Sequence, residues 1–325
     1  MRFNLLLVVI LIAVLALAVC LGETPLSLDQ YQLAFADPGS APGEILFGLR
    51  APRAATAAMV GAALGLSGAV MQGLLRNPLA DPGVLGVSAA AGLGASAAIA
   101  FGLAATPGGL EAAALAGALA AGALVAVLAA RFREPETLIL FGVSLSALGG
   151  ALTALIFNLS PSPITTNEVM TWLLGSAANR DWKDRGLALA PMALGAGLCA
   201  WSAAGLRMLT LGEETAALSG LPMARLRAAA VAGAALLTGA AVALAGVIGF
   251  VGLAAPHLVR RAVKDDPART LLPSALAGAA LLVAADLAAR MIPTDEELKL
   301  GVVTALFGAP LFALVAWRAA RSWRA

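Results

Sequence analysis

Charge is scarce in this chain. Of its 325 residues only 12% are Asp, Glu, Lys or Arg, 60% are hydrophobic, and the mean hydropathy is +0.90. No soluble shape of this length hides so much apolar surface from water, so the solvent has to be a bilayer. Lysine is rarer still. Lys183, Lys264 and Lys299 lie outside any glycine-rich loop and there is no Gly-x-x-x-x-Gly-Lys-Ser/Thr stretch, which excludes ATP binding by a P-loop. A single histidine, His257, and two cysteines, Cys20 and Cys199, at different depths in separate apolar runs, leave neither a metal-ligand cluster nor a disulfide framework. A Ser/His/Asp set is missing, as is the ladder of buried ionisable groups that a proton-coupled carrier needs. Strand-type alternation is absent, so an outer-membrane barrel is not expected. No Ser/Gly linker or low-complexity tail sets off a soluble domain, and residues 1–325 read as one membrane domain.

What the chain does have is apolar runs of roughly 17 to 24 residues, each about the length that crosses a hydrocarbon core of about 30 Å as an α-helix. The expected fold is all-α, a polytopic membrane bundle of about ten helices over 4–21, 54–74, 84–103, 110–130, 138–158, 186–206, 228–247, 248–262, 271–290 and 300–317, the eighth being short. Gly and Ala dominate these runs and predict close helix contacts. With the N-terminus inside, fourteen of the 21 Lys and Arg fall on the inner side, clustered at 131–133, 207–227, 260–269 and 318–324, so both termini are expected to be cytoplasmic. Arg2 and Cys20 give the first run the outline of a lipoprotein signal. Val19 is a poor residue before a lipidated cysteine, however, and removing that span would set the charge bias against the C-terminus. Segments 54–158 and 228–317 each hold four expected spans that start from opposite sides, the outline of an inverted repeat.

The densest polar stretch is Arg76-Asn-Pro-Leu-Ala-Asp-Pro82, a twice-broken turn between two long apolar runs, with Gln72 before it and Leu85-Gly86 after. A second signal runs from Gly246 to Arg260. Gly246, Gly249 and Gly252 repeat at three-residue spacing, which would permit backbone contact, Pro256 disrupts the helix near the inner face, and His257 reads as an interfacial hydrogen-bonding group. Between Arg207 and Arg227 the longest inner loop carries Glu213 and Glu214 and is broken by Gly220 and Pro222, room for two short helices meeting at a turn.

Taken together these stretches resemble the permease subunits of ATP-binding-cassette importers for iron-siderophore complexes, haem and cobalamin. The resemblance runs from Arg50-Ala-Pro-Arg53 through Ser67-Gly68, Gln72, the Arg76–Pro82 turn and Leu85-Gly-Val-Ser88. It continues with Trp172-Leu-Leu-Gly-Ser176, Trp182, Leu211-Gly-Glu213 with Ala216 and Gly220, Gly246 to Arg260 and Gly301 to Phe312. Glu297-Leu-Lys299 departs from the usual Pro two residues after the Glu, and Ala51-Pro52 from the usual Leu-Pro. The resemblance implies a homodimer in the cytoplasmic (inner) membrane, two ATPase subunits that carry ATP and Mg, a soluble substrate-binding protein outside, and no cofactor or nucleic acid on this chain. The chain itself would catalyse nothing, and the cargo would be a bulky chelate or macrocycle. The rival from another class is a secondary carrier for a small organic solute driven by an ion gradient, and a blander one is a membrane scaffold.

By the same resemblance Arg50, Arg53 and Arg290 would dock the binding protein's carboxylates, bidentate contacts that suit guanidinium; the plainer alternative is interfacial anchoring, with Arg290 paired to Asp286. Leu211, Gly212, Glu213, Ala216, Ala217, Gly220, Leu221 and Pro222, within the loop 207–227, would seat in the ATPase, where a compact knob serves and a floppy connector does not. Gln72, Asn77, Glu136 and Thr137 would border or close the pathway at the inner side, Asn77 and Thr137 having helix capping as their alternative use. Gly249, Gly252, Pro256 and His257 would be structural.

Overall fold

The computed structural model describes residues 2–132, 135–159, 162–178, 182, 186–292 and 297–322. Arg133 and Arg324, counted among the inner-side charges, and 160–161, 179–181 and 183–185 of an outer loop lie outside them.

Helix α1 (Arg2–Cys20) is followed by α2 (Leu28–Ala36) and the single turn α3 (Ala41–Gly43), which runs through a π-helical stretch, Glu44–Arg50, into α4 (Ala51–Leu74). Ser27 and Gln30 form a capping box at the start of α2. After the polar turn comes α5 (Val87–Ala100), then α6 (Gly109–Arg131), α7 (Pro135–Leu159), the short outer α8 (Pro163–Leu173) and α9 (Gly186–Leu209). A six-residue α10 (Glu213–Leu218) leads to α11 (Met223–Ala245), α12 (Val251–Arg260), α13 (Pro267–Met291) and α14 (Leu300–Ser322).

Among the described residues seven helices are long and apolar enough to cross a membrane, and α5 (Val87–Ala100) and the Leu300–Pro310 part of α14 are shorter apolar stretches. The expected eighth span, 248–262, differs. Residues 246–250 are non-helical and α12 has ten residues, a length of about 15 Å, half a hydrocarbon core. Gly246, Gly249 and Gly252, expected inside spans seven and eight, are placed differently: Gly246 caps α11 with φ 71°, Gly249 lies in the break, and only Gly252 is helical, while Gly246 and Gly252 do lie against neighbouring backbone. Phe250 enters α12 with φ 67°, a left-handed conformation uncommon outside glycine. The inner loop is corrected too, since it holds one short helix, and what read as a second is the start of α11.

Two helices form the centre. The apolar windows of α4 and α11 are 72% and 78% buried, against 6% for α1 and 17% for α7, which stand at the edge. Around them α4 packs on α13 and α12, and α11 packs on α6, α9 and α4. Small residues let these helices meet at the backbone. A Cβ added at Gly61 of α4 would lie 2.2 Å from the Gly278 carbonyl of α13, one at Gly278 the same distance from that of Gly61, and one at Gly65 2.2 Å from that of Ser274. Where burial of lipid-like side chains gives no driving force between helices, this contact of backbones supplies the attraction. Gly61→Ala should accordingly lower stability by about 1–3 kcal/mol, read as a lower unfolding midpoint in detergent. Gly150→Ala, at a site with nothing within 4 Å of the new methyl, should leave the midpoint unmoved or slightly higher.

Candidate functional site

At the end of the bundle that the charge bias assigns to the outer side, α1 stops with its last carbonyls unbonded within the helix, and arginines from two other helices meet them. Arg50 donates from Nη1 to the Cys20 carbonyl at 2.7 Å and from Nη2 to that of Thr24 at 2.5 Å. Arg290 Nη2 donates to the Ala18 carbonyl at 3.1 Å, and the Tyr31 hydroxyl to that of Cys20 at 2.5 Å. Positive charge at a helix C-terminus also answers its partial negative charge.

The third arginine turns to carboxylates. Arg53 holds Asp286 through Nε at 3.0 Å and Nη2 at 2.8 Å, and Glu297 through Nη1 at 3.0 Å and a shorter Nη2 contact. Asp286, only 1% exposed, is shared with Arg290 Nε at 3.2 Å, the one-turn pair expected from the sequence. Two guanidiniums and two carboxylates thus neutralise one another. Burial alone would raise the Glu297 carboxyl, but Arg53, with Arg290 and Lys299 beyond it, holds it below the ordinary range. The sequence reading had these arginines facing outward, whereas Arg50 and Arg290 are each 6% exposed and committed to partners inside the chain. They still line, with Arg53, Glu23, Glu297 and Lys299, an outer recess of about 560 Å³.

The inner end carries the knob. Gly212 with φ 99° breaks from α9, and α10 closes in a Schellman turn, Gly220 N–H to the Ala217 carbonyl at 3.0 Å and Leu221 N–H to that of Ala216 at 3.2 Å, with Gly220 at φ 82°. Ala216 is buried beneath it, while Leu211 and Leu218 are 69% and 89% exposed. Arg227, 7% exposed, ties the knob down: its Nη2 meets Glu213 at 2.6 Å and its Nη1 the Phe132 carbonyl at 3.4 Å. Nearby, Asp266 caps α13 through the Ala268 and Arg269 N–H groups and pairs with Arg207 at 3.0 Å, joining the inner ends of α9 and α13.

Of the residues expected at the inner gate, Gln72 is 4% exposed and lies between α4 and α12, its Nε2 on the Gly252 carbonyl at 3.3 Å and its Oε1 taking a hydrogen bond from Arg260. Asn77 caps no helix; its Oδ1 accepts from Leu79 N–H at 2.9 Å and so braces the turn. Thr137 is the third residue of α7, past the capping position, and Glu136 is exposed beside it. His257 is half-buried on α12 near Arg260 and Arg261.

Two cavities meet at the break between α11 and α12. One, of about 460 Å³, is lined among others by Asp81, Ser88, Gly92, Thr153 and Phe157; the other, of about 560 Å³, by Gly301, Ala305, Leu306 and Pro310; and Leu173, Val247 and Gly249 border both. Asp81 is the only ionisable residue lining either cavity among the described residues. Trp172-Leu-Leu-Gly-Ser176 fixes this region by backbone bonds. Ser176 N–H caps the Ala245 carbonyl at the end of α11 at 2.8 Å, and the carbonyls of Gly175 and Leu174 receive Leu300 and Gly301 N–H at 3.0 and 3.1 Å, seating α14. The sequence reading named this motif without a job for it, and missed Asp286, Glu297 and Arg227 as network centres. Only the isolated charges at apolar-run ends could have pointed to them.

A broken half-length helix beside long spans, paired cavities at the break and a rigid inner knob define a multi-pass helical membrane protein built for passage rather than catalysis. The chain matches the FecCD transport family over residues 9–318, and it belongs to that family. It is 39% identical to the vitamin B12 import system permease protein BtuC of Shigella boydii over 322 residues, and to that of Escherichia coli O157:H7 over 326, covering 98% of this chain and 96% of each relative. A solved structure described as an inward-facing conformation of a metal-chelate type ABC transporter superposes with a TM-score of 0.87 at 32% identity, over 98% of this chain and 99% of that one. The chain is thus a permease subunit of an ABC importer, in which ATP hydrolysis belongs to a separate ATPase.

Asp286→Asn removes the charge that two buried guanidiniums share and should destabilise by about 3–5 kcal/mol. Glu297→Gln, whose side chain is 27% exposed, should cost about 1 kcal/mol. Denaturant or thermal unfolding in detergent compares them, and equal losses would show that the network is not centred on Asp286.

Proposed function

We propose that this permease imports a bulky metal chelate of the corrinoid class, with cobalamin as the first cargo to test, across the cytoplasmic membrane. Near-full-length likeness to permeases named for vitamin B12 import supports that choice over ferric siderophores and haem. The cavity walls agree in kind: Ser88, Thr153 and a single carboxyl among small and apolar residues give a weakly interacting surface that lets a large solute slide past.

Two copies would meet across the faces that carry exposed Leu148, Leu152 and Leu155 of α7 and Leu306 and Phe307 of α14, closing the paired cavities into one pathway. Both termini would be cytoplasmic. A pseudo-twofold relation between 54–158 and 228–317 is supported by the packing, since the first helix of each segment lies on the third of the other, α4 on α13 and α11 on α6. The binding protein would dock at the outer recess, using whatever of Arg50, Arg53 and Arg290 its rim leaves accessible. Asn77, Glu136 and Thr137 would border the inner exit.

The observation that carries the reading is the knob. Leu211, in the turn before α10, and Leu218, at its end, present exposed apolar side chains on a knob that the Arg227–Glu213 pair and buried Ala216 anchor to the bundle, a shape suited to a groove on an ATPase. ATP-driven closure of two ATPases would then move the knobs and reopen the pathway to the other side. Reconstituted with its ATPase and binding protein, the dimer should accumulate cobalamin in liposomes only when ATP is supplied on the ATPase side. Leu218→Asp should abolish ATPase association and uptake without moving the unfolding midpoint. Uptake without the ATPase, or full uptake by Leu218→Asp, would reject this function, and ATP-driven uptake of ferric hydroxamate or haem in place of cobalamin would reject the cargo.

A further inference from the structure

Two residues of α4 and a proline of α12 itself converge on one carbonyl, that of Gly252 in the first turn of α12. Pro256 stands four residues on and has no N–H, so the helix bond that this carbonyl would receive cannot form. Gly68 of α4 lies against it: a Cβ there would sit 1.9 Å from the oxygen, so any side chain at 68 would push the helices apart. Gln72, one helical turn beyond Gly68 and on the same face of α4, donates to it through Nε2 at 3.3 Å. The orientation of that amide is not free. Arg260, at the other end of α12, carries only donors and takes the Oε1, which leaves Nε2 facing Gly252.

We propose that Gln72 is a positioning residue that substitutes for the helix bond removed by Pro256, and so seats the half-length helix α12 against α4 beside the cavities. A full α-helix would hold itself. A ten-residue helix with a proline inside and a left-handed residue at its start depends on a neighbour instead. Gln72 spans it, with its amide on the first turn and its carbonyl on the last. The arrangement fixes α12 in place without stiffening it internally, so breaking two side-chain hydrogen bonds would free a helix whose preceding break, at Val247 and Gly249, borders both cavities. The effect on transport rests on the importer reading above; the effect on α12 does not.

The test uses the full chain as Gln72→Met, Gln72→Glu, Pro256→Ala and the double variant Gln72→Met/Pro256→Ala, with hydrogen–deuterium exchange read over residues 252–260 and cargo uptake per ATP hydrolysed read in parallel. Gln72→Met should raise exchange in α12 by about tenfold or more and lower uptake per ATP. Gln72→Glu should do the same, because it keeps the partner for Arg260 yet sets a carboxylate oxygen against the carbonyl. Pro256→Ala returns the N–H to its place, so in the double variant exchange should fall back to within about threefold of the parent. Should Gln72→Met fail to fold, recovery of folded protein in the double variant is the expected result. Unchanged exchange in Gln72→Met, parental behaviour of Gln72→Glu, or a double variant no better than Gln72→Met would each overturn the proposal. If α12 responds as expected and no variant or parent transports anything, the importer reading fails and this one stands.

Discussion

A carbonyl in hydrocarbon has no water to bond, and the most informative contacts in this protein are answers to that single constraint. At several helix ends and breaks another part of the chain supplies the missing donor. The last carbonyls of α1 take Arg50 and Arg290, and the end of α11 takes Ser176 N–H. The Phe47 carbonyl, in the π-helical stretch, takes Trp182 Nε1 at 3.1 Å. The Gly252 carbonyl takes Gln72. Each donor comes from a segment far along the chain, so satisfying the backbone and fixing the tertiary fold are here the same act.

That coupling explains why charge, so scarce in the chain, is concentrated where it is. A guanidinium brings five donors on a flat fork and stays charged at any relevant pH, so one arginine can cap two carbonyls, as Arg50 does, or hold two carboxylates, as Arg53 does. The desolvation of so many charges near the outer face is offset because the set is close to neutral and each guanidinium meets a carboxylate or a backbone carbonyl, although the buried Arg290 Nε, 3.2 Å from Asp286, makes no hydrogen bond among the described residues. Lys, with a point charge on a flexible stem, could not replace either arginine in this geometry.

The sequence showed the long helices clearly, because a 20-residue apolar run has few other uses, and it located the inner knob from two acids followed by a Gly and a Pro that break the loop. It misplaced what depends on half-lengths. Residues 246–250 are as apolar as a helix interior, so hydropathy set the expected spans 228–247 and 248–262 end to end with no gap where the chain leaves the helix for five residues. The arginines were found but not their directions, since the partners of Arg53 stand 233 and 244 residues away and no local pattern encodes them. Gln72 read as a residue of the pathway because it precedes the polar turn; its buried place follows from Pro256, a relation visible only once α4 and α12 are side by side.

The inner surface shows how force applied to the knob would spread. α10 cannot tilt alone, because Glu213 is held by Arg227 of α11 and Ala216 is buried against the bundle. The inner end of α9 is tied in turn to the start of α13 by Arg207 and Asp266, a carboxyl that burial would raise but that the Arg269 N–H, the Arg207 guanidinium and the Ala268 N–H hold below the ordinary range. If the knob couples to an ATPase as proposed, a push on it would move α9, α11 and the start of α13 together. Of these α11 ends at the Gly246–Phe250 break, so a displacement of its long rigid body arrives at the one stretch beside both cavities that has no helix bonds to resist it. Under the proposed coupling the long helices would deliver the motion and the short one would receive it. That division of labour requires α12 to be held by side chains from α4 rather than by its own backbone ladder.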